Sequence, residues 1–381
     1  MAVPTGVVWE CKPHTVAKHR ILEKYLQAWY PIMMQAAKVT SVTYAEGFAG
    51  AGVYKNGEAG SPVKAARVFL ARPHFLQAKT LRMVLVEADG KRLGRLKQEM
   101  ASALGEGRHA RGLQVHYAEG KCAATLLPAM STAGAPDGPV FAFLDGFGGP
   151  DVPLALARSI AARRSGEVLV TFGTSFLTRF GTKEIHQAAG DEAFGGTEWR
   201  RVHQLPAGEK KAFLVTAYRD SLKKAGFSHV VSFEMIDDTG SDLHLVFGTS
   251  SIRGVEKMKD AMWGVDPVSG VRYRDPRDPD QLELDIVLNP HVEPLTRALL
   301  SELASGERTV AQLRDHALLE TVYRAPHATT ALKSMLSAGL IDRSPAFGQL
   351  AGTTRIRITP AGRERLAAPE LTLFLPGSGT G

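Results

Sequence analysis

The sequence predicts an α/β protein: a seven-stranded, mostly parallel sheet with an antiparallel edge hairpin, followed by a smaller helical module. Three observations carry that expectation. Short β-branched or aromatic runs alternate with helical stretches over residues 39–252, which argues for a parallel sheet with helices on both faces. The last two runs are separated only by residues 237–242; a parallel crossover needs a dozen or more residues, so these two strands should be antiparallel. Beyond the Pro- and charge-rich stretch 272–280, read as a loop or linker, the texture changes to helices and a short ribbon.

Taken in order, residues 15–30 place Ile21, Leu22, Tyr25, Leu26 and Trp29 at spacings of three and four. That is one helical face, expected to pack over the sheet edge or the site. The strands are expected at 39–44, 83–87, 113–117, 140–145, 167–172, 229–236 and 243–247, with helices at 62–70, 92–104 and 154–163. In the C-terminal part, helix 292–303 carries Leu295, Leu299, Leu300 and Leu303 on one stripe. Thr309 can cap a second helix from 310 to about 322. A third, 327–337, ends at Gly339, where a left-handed C-cap is wanted. Runs 340–344 and 353–359 read as two short strands. Three helices and a β-ribbon are the pattern of a winged helix-turn-helix. The expected division is 1–280, 281–368 and a Gly-rich tail 369–381.

Composition narrows the function. At 44% hydrophobic and 22% charged over 381 residues, the chain reads as an ordinary soluble globular protein. Lys plus Arg (46) exceed Asp plus Glu (39) by 7, too dilute a surplus to demand an anionic partner. Two cysteines, Cys11 and Cys122, exclude a disulfide scaffold, a four-cysteine zinc site and a self-contained iron–sulfur cluster. No apolar run approaches the roughly 18 residues that span a bilayer, and residues 1–14 hold no apolar core of a signal peptide. A cytoplasmic, reduced protein with no membrane partner is expected. The twelve histidines are scattered, and no C-x-x-C, H-E-x-x-H or G-x-S-x-G occurs, so neither a metal nor a hydrolase elbow is expected.

The chemistry concentrates at strand ends. The first strand closes in Glu46, and Gly47, Phe48, Ala49, Gly50, Ala51 and Gly52 follow. Glycines there let the backbone approach a ligand closely. Neither G-x-G-x-x-G nor a P-loop lysine is present, which disfavours pyrophosphate. The Glu46-x-Phe48-x-Gly50-x-Gly52 arrangement resembles the first motif of S-adenosylmethionine-dependent methyltransferases. The second strand ends in Glu87 and Ala88, a carboxylate suited to both ribose hydroxyls of an adenosine; Asp89 competes for that role. Glu119 and Gly120 close the third strand, where an acid can meet an adenine amino group. The fourth strand is wholly apolar until Asp145, which is costly to bury unless it is used. Asp145 is therefore the candidate catalytic acid that orients an acceptor amine or hydroxyl. It also borders the cofactor, and Gly146, Phe147 and Gly148 form the acceptor turn.

Other candidates frame this site. His14, Lys18 and His19 lie near one face of the first helix, able to reach an anionic acceptor or serve as a base; a neutral histidine paired to a carbonyl is the alternative. Tyr54, Glu58, Ser61 and Pro62 follow the glycine turn as acceptor-side residues, although Ser61-Pro62 also suits an N-cap with Pro at N1. Arg179 lies past the fifth strand, in an acceptor loop or a surface salt bridge.

A family resemblance gathers these motifs. Trp9, Pro13-His14-Thr15, Lys18-His19, Leu22 and Tyr25-Leu26 precede the glycine turn. Tyr54, Gly57-Glu58 and Gly60-Ser61-Pro62 follow it, and Arg253-Gly254 and Met258-Lys259-Asp260-Ala261-Met262-Trp263 come much later. Together these resemble the three-Cys-motif partner proteins (TcmP) over nearly the whole chain. The resemblance implies a Rossmann-like class I methyltransferase fold with a C-terminal winged helix, S-adenosylmethionine as cofactor, and a separate radical-type partner protein carrying three cysteines. Two departures stand out: Asp145-Gly146 replaces the family's Asp-Pro, and Thr171 stands where an Asn is common.

The expected function is methylation of N or O on a small-molecule or nucleotide-like acceptor. A nucleic-acid base methyltransferase docked by the winged helix comes second, and a non-catalytic cofactor-binding regulator third. Residues 291–366 hold 10 basic and 7 acidic residues, a surplus of only 3, and the helix that would read DNA has the single lysine Lys333. Dedicated DNA readers are more basic. The ribbon is richer, with Arg343, Arg355 and Arg357. A winged helix that joins a homodimer or covers the site is compatible with the first reading.

Overall fold

A computed structural model describes residues 6–36, 38–71, 79–105, 112–135, 138–236, 242–265, 272–273 and 292–368. The chain divides into two compact units, Met1–Asn289 and Pro290–Gly381. The expected boundary at 280/281, the turn at 237–241 and the tail 369–381 lie outside the described residues.

The first unit runs α1 (Pro13–Gln35), β1 (Ser41–Glu46), α2 (Ser61–Leu70), β2 (Thr80–Glu87), α3 (Gly90–Leu104), β3 (Leu113–Glu119), α4 (Cys122–Thr132), β4 (Val140–Leu144), α5 (Leu154–Ala161), β5 (Gly166–Gly173), α6 (Thr174–Phe180), α7 (Glu184–Phe194), a 3-10 turn (Glu198–Gln204), α8 (Ala207–Ala225), β6 (His229–Ile236), β7 (Asp242–Thr249), α9 (Ile252–Trp263) and β8 (Arg272–Tyr273). The sheet order is β3-β2-β1-β4-β5-β7-β6-β8. β1 pairs in parallel with β2 and β4, β2 with β3, and β4 with β5. β7 is antiparallel to both β5 and β6. Every residue of β1, β4 and β5 is buried, as in a parallel sheet covered on both faces.

One detail differs from the expectation. The antiparallel pair does not close the edge, because Arg272–Tyr273 adds an eighth, parallel strand to β6. Its charged and proline-rich neighbours predict a loop, and two residues are too few to show a strand period. Of the two places expected for helix α1, sheet edge or site, it takes the site, with Lys18 on Asp145 and its aromatic face over β4. Its Tyr25 and Trp29 rings sit 5.2 and 5.9 Å from Phe141 of β4. Ile21, Leu22, Tyr25, Leu26 and Trp29 are all buried, each contributing about 1.5–3 kcal/mol. Buried Glu167 of β5 ties the layers, accepting from Tyr25 Oη at 2.6 Å and from Thr249 Oγ1 at 2.7 Å.

The second unit runs α10 (Glu293–Ala304), β9 (Arg308–Thr309), α11 (Val310–Glu320), α12 (Ala325–Ser337), β10 (Ile341–Ser344), β11 (Arg355–Ile358) and α13 (Pro360–Ala367). Its strands form an antiparallel sheet in the order β10-β11-β9. Leu295, Leu299, Leu300, Leu313, Leu332 and Ile356 are among its buried residues. Thr309 caps α11 through a reciprocal box: its Oγ1 accepts from Gln312 N at 3.2 Å, and its own N–H donates to Gln312 Oε1 at 2.8 Å. Gly339 follows α12 with φ +68°. The Arg343 guanidinium donates to the carbonyls of Pro345, Phe347, Gly348 and Gln349, ordering the loop that displays Phe347. Arg355 pairs with Glu307 at 3.0 Å.

Candidate active site

The strand order reverses at β1, so a crevice opens beyond the carboxyl ends of β1 and β4, where α/β sheets take their ligands. The glycine turn, Glu87 and Asp145 all stand there. Gly50 has φ +63°, the left-handed region that favours glycine. Its N–H donates to Glu87 Oε2 at 2.8 Å, while Glu87 Oε1 accepts from Asp89 N at 3.0 Å. One buried carboxylate on β2 therefore holds the turn. Asp89, the competing acid, caps α3 by accepting from Lys91 and Arg92 N–H. Gly47 backs onto Cys122, whose sulfur leaves no room for a Cβ. Ala49 N–H donates to Val86 O at 2.9 Å, and Phe48 packs half-buried against the core.

Asp145 emerges from β4 into an ion pair. Lys18 Nζ of α1 meets both its carboxylate oxygens at 2.6 Å, with side-chain exposures of 7% and 13%. Thr171 of β5 donates its hydroxyl to Oδ1. A cavity of about 310 Å³ lies against Asp145, Gly146 and Phe147, and Trp9, Glu10, Lys12, His14, Thr15, Lys18 and Tyr54 complete its walls. It thus gathers Asp145, His14, Lys18, Tyr54, Gly146 and Phe147 from three segments of chain.

Other expected residues fall elsewhere. Glu46 is fully buried, with Tyr44 Oη donating to Oε2 at 2.8 Å and Ser61 Oγ donating to Oε1. Burial pushes its carboxyl up to about 8 against those two hydrogen bonds, so the neutral acid predominates near pH 7. Ser61 is not the helix N-cap; Gly60 is, and Ser61 and Pro62 open α2. The Ser61 hydroxyl is turned to Glu46, giving a buried acid the donor it needs. Glu58 pairs with Lys64 at 2.9 Å, outside the cavity lining. His19 is buried, with its ring 5.7 Å from Tyr54 and both ring nitrogens without a hydrogen-bond partner among the described residues. Burial, then neighbouring Lys18, hold its pKa down to about 3, so it is neutral and a poor base.

The remaining positions are peripheral to the cavity. Ala88 is exposed beyond β2. Glu119, opposite Glu87 in the β2–β3 register, lies by Gly90 at the start of α3, and Gly120 N–H donates to Glu87 O at 3.0 Å. Gly52 accepts from Gly60 N–H at 2.8 Å, closing the loop between them. Gly148, with φ +82°, packs on Leu243 and Gly173. Arg179 is exposed on α6 and does not line the cavity.

Sequence reasoning assigned no role to Trp9 or Lys12. An aromatic residue and a lysine just ahead of an α1 bearing His14 and Lys18 were the available signal. Both cysteines are free thiols raised by burial, Cys11 to about 11 and Cys122 to about 12. Among the described residues no cluster of three metal-ligating side chains occurs, and no helix is long and apolar enough to cross a membrane.

No protein-family model and no curated protein matches this chain. Solved structures similar to its fold include EvdMO1, at 13% identity and TM-score 0.32 over 62% of this chain and 42% of that one. The O-methyltransferase TomG from Streptomyces achromogenes, involved in tomaymycin synthesis and solved with SAM, is similar at 16% identity and TM-score 0.32 over 60% and 79%. The delta-N METTL16 methyltransferase domain is similar at 11% identity and TM-score 0.29 over 60% and 83%.

Proposed function

We propose that this chain is a class I methyltransferase, of the three-Cys-motif partner type its motifs resemble, that uses S-adenosylmethionine to methylate N or O of a small-molecule or nucleotide-like acceptor. One observation carries the reading. Asp145 stands at the end of β4 beside a glycine turn held by a buried carboxylate of β2, at the reversal point of a 3-2-1-4-5-7-6 strand order. That order, with its antiparallel seventh strand, is the one class I methyltransferases use.

The residues fit such a cofactor. A Cβ added at Gly50 would meet only the Trp9 ring, at 3.7 Å, within 4 Å, so backbone is bare where a ligand approaches. Gly47–Gly52 and Glu87 would hold it, with Glu119 beyond. When bound, it supplies a methyl group on a sulfonium, an electrophile that needs an aligned acceptor.

The chain's own residues provide that alignment. Asp145 accepts a hydrogen bond from the acceptor N–H or O–H. Lys18 and Thr171 fix its carboxylate in one orientation. Tyr54 and Phe147 supply apolar walls that keep water out. His14, the histidine that lines the cavity, is placed to take the acceptor's proton; His19 is not. Glu46 acts from behind the turn, through Ser61 and Tyr44. The second unit reads as a winged helix whose Arg343 and Arg355 are committed to internal partners, which favours a small acceptor over nucleic acid.

The test compares wild type with Asp145→Ala. S-adenosylhomocysteine affinity is read by calorimetry, and methyl transfer from labelled S-adenosylmethionine into small-molecule and nucleic-acid pools is read in parallel. Binding is expected to persist while turnover falls about 10²–10⁴-fold. Normal turnover by Asp145→Ala removes its role. No thermal shift at millimolar cofactor removes the methyltransferase reading, since a ligand of the native state must stabilise it.

A further inference from the structure

We infer that residues 6–12 form a strap whose Trp9 indole shuts the crevice, and that the cofactor enters by displacing it. The inference rests on the cofactor reading above. Trp9 lies against the glycine turn, its ring edge 3.7 Å from where a Cβ on Gly50 would stand. The Arg92 guanidinium lies 5.0 Å from the ring. Phe147 and Tyr54 stand 6.3 and 6.0 Å away. The indole therefore bridges the β2 side of the crevice to the β4 side, across the carboxylate that the fold offers to a ribose. Arg92 completes the seal, with Nη1 4.0 Å from Glu87 Oε1 and Nη2 donating to Gly6 O at 3.1 Å.

The strap is also lightly held. Residues 6–12 belong to no helix or strand. Gly6 O accepts from the Arg92 guanidinium, Trp9 O accepts from Lys55 N–H at 2.9 Å, and Lys12 O accepts from Thr15 and Val16 N–H where α1 begins. Trp9 itself is only half-buried, unlike Trp29 and Trp199. A segment outside regular structure, whose Val7, Val8, Trp9 and Cys11 are only part-buried, opens at low free energy. Its ring still competes for the face a planar ligand needs. A site shut in about 90% of molecules binds about tenfold more weakly than its open form.

The experiment titrates S-adenosylhomocysteine into full-length wild type, Trp9→Phe and Trp9→Ala, by calorimetry and stopped-flow fluorescence. Ligand-free melts check that each variant is folded. Trp9→Ala is expected to bind about threefold to tenfold more tightly, chiefly through a faster on-rate, and the fluorescence change of wild type is expected to vanish in Trp9→Phe. Equal affinity in wild type and Trp9→Ala overturns the strap and leaves the cofactor reading standing. Weaker binding by Trp9→Ala also overturns it, because Trp9 is then a wall of the bound ligand and not a competitor. If no form binds, the cofactor reading falls and takes the strap with it.

Discussion

Replacing Lys18 with Met tests how the site is held. The Lys18 ammonium touches both Asp145 oxygens at 2.6 Å, and both side chains are nearly excluded from solvent. Removing one partner of a buried pair typically costs about 3–5 kcal/mol, because the remaining charge loses its compensation. Asp145 borders a cavity and keeps the Thr171 hydroxyl, so the lower end, about 3 kcal/mol, is expected. The double variant Lys18→Met with Asp145→Asn removes both charges and should recover about 1–2 kcal/mol, a coupling in the range found for contacting residues. Urea unfolding followed by tryptophan fluorescence reads this cleanly. All four tryptophans, Trp9, Trp29, Trp199 and Trp263, lie in the first unit, so the signal reports that unit alone. A Lys18→Met loss below about 0.5 kcal/mol, the worth of an exposed pair, would refute the argument that Asp145 is locked.

Two further outcomes follow from the buried groups. Burial raises Glu46 from 4.5 to about 8 and Glu167 from 4.5 to about 7, so both bind protons more tightly folded than unfolded. Their contribution to stability is full below the unfolded value and is lost as pH rises through the folded values. Urea midpoints measured from about pH 5 to 8.5 should therefore fall less steeply in Glu46→Gln and Glu167→Gln than in wild type; identical slopes contradict this. Gly47→Ala drives a methyl into Cys122 and should cost about 1–3 kcal/mol by overpacking. Adding Cys122→Ala should restore part of the melting temperature, and no recovery would place the clash elsewhere.

Much of the sheet could be read in advance because its strands are buried on both faces. The central runs VTYAE, MVLVE and VFAFL carry no ambiguity of period, and His229–Ile236 matched at both ends. Helices α4, α6, α7, α8, α9 and α13 are not legible in the sequence. α4 and α8 show weak stripes, because Ala-rich and Lys-rich stretches such as AATLLPAM and AGEKKAF do not display a clear apolar face. The site divides the same way. Asp145, Glu87 and the glycine turn stood out because an acid ending an apolar strand is conspicuous wherever the chain goes next. Where Ser61, Glu46, Glu58 and His19 point is not legible in the sequence, because their partners, not their sequence neighbours, determine it.

By itself the sequence determined the seven longer strands of the first unit and where glycine and acid interrupt them, since hydrophobic period and backbone freedom are local properties. Only the tertiary structure decided what those residues do. Lys18 reaches Asp145 across 127 residues, and Tyr25 reaches Glu167 across 142. Folding removes both acids from water, and it is the donors brought to them from α1 that make their burial tolerable. The same packing lays Trp9 over the glycine turn.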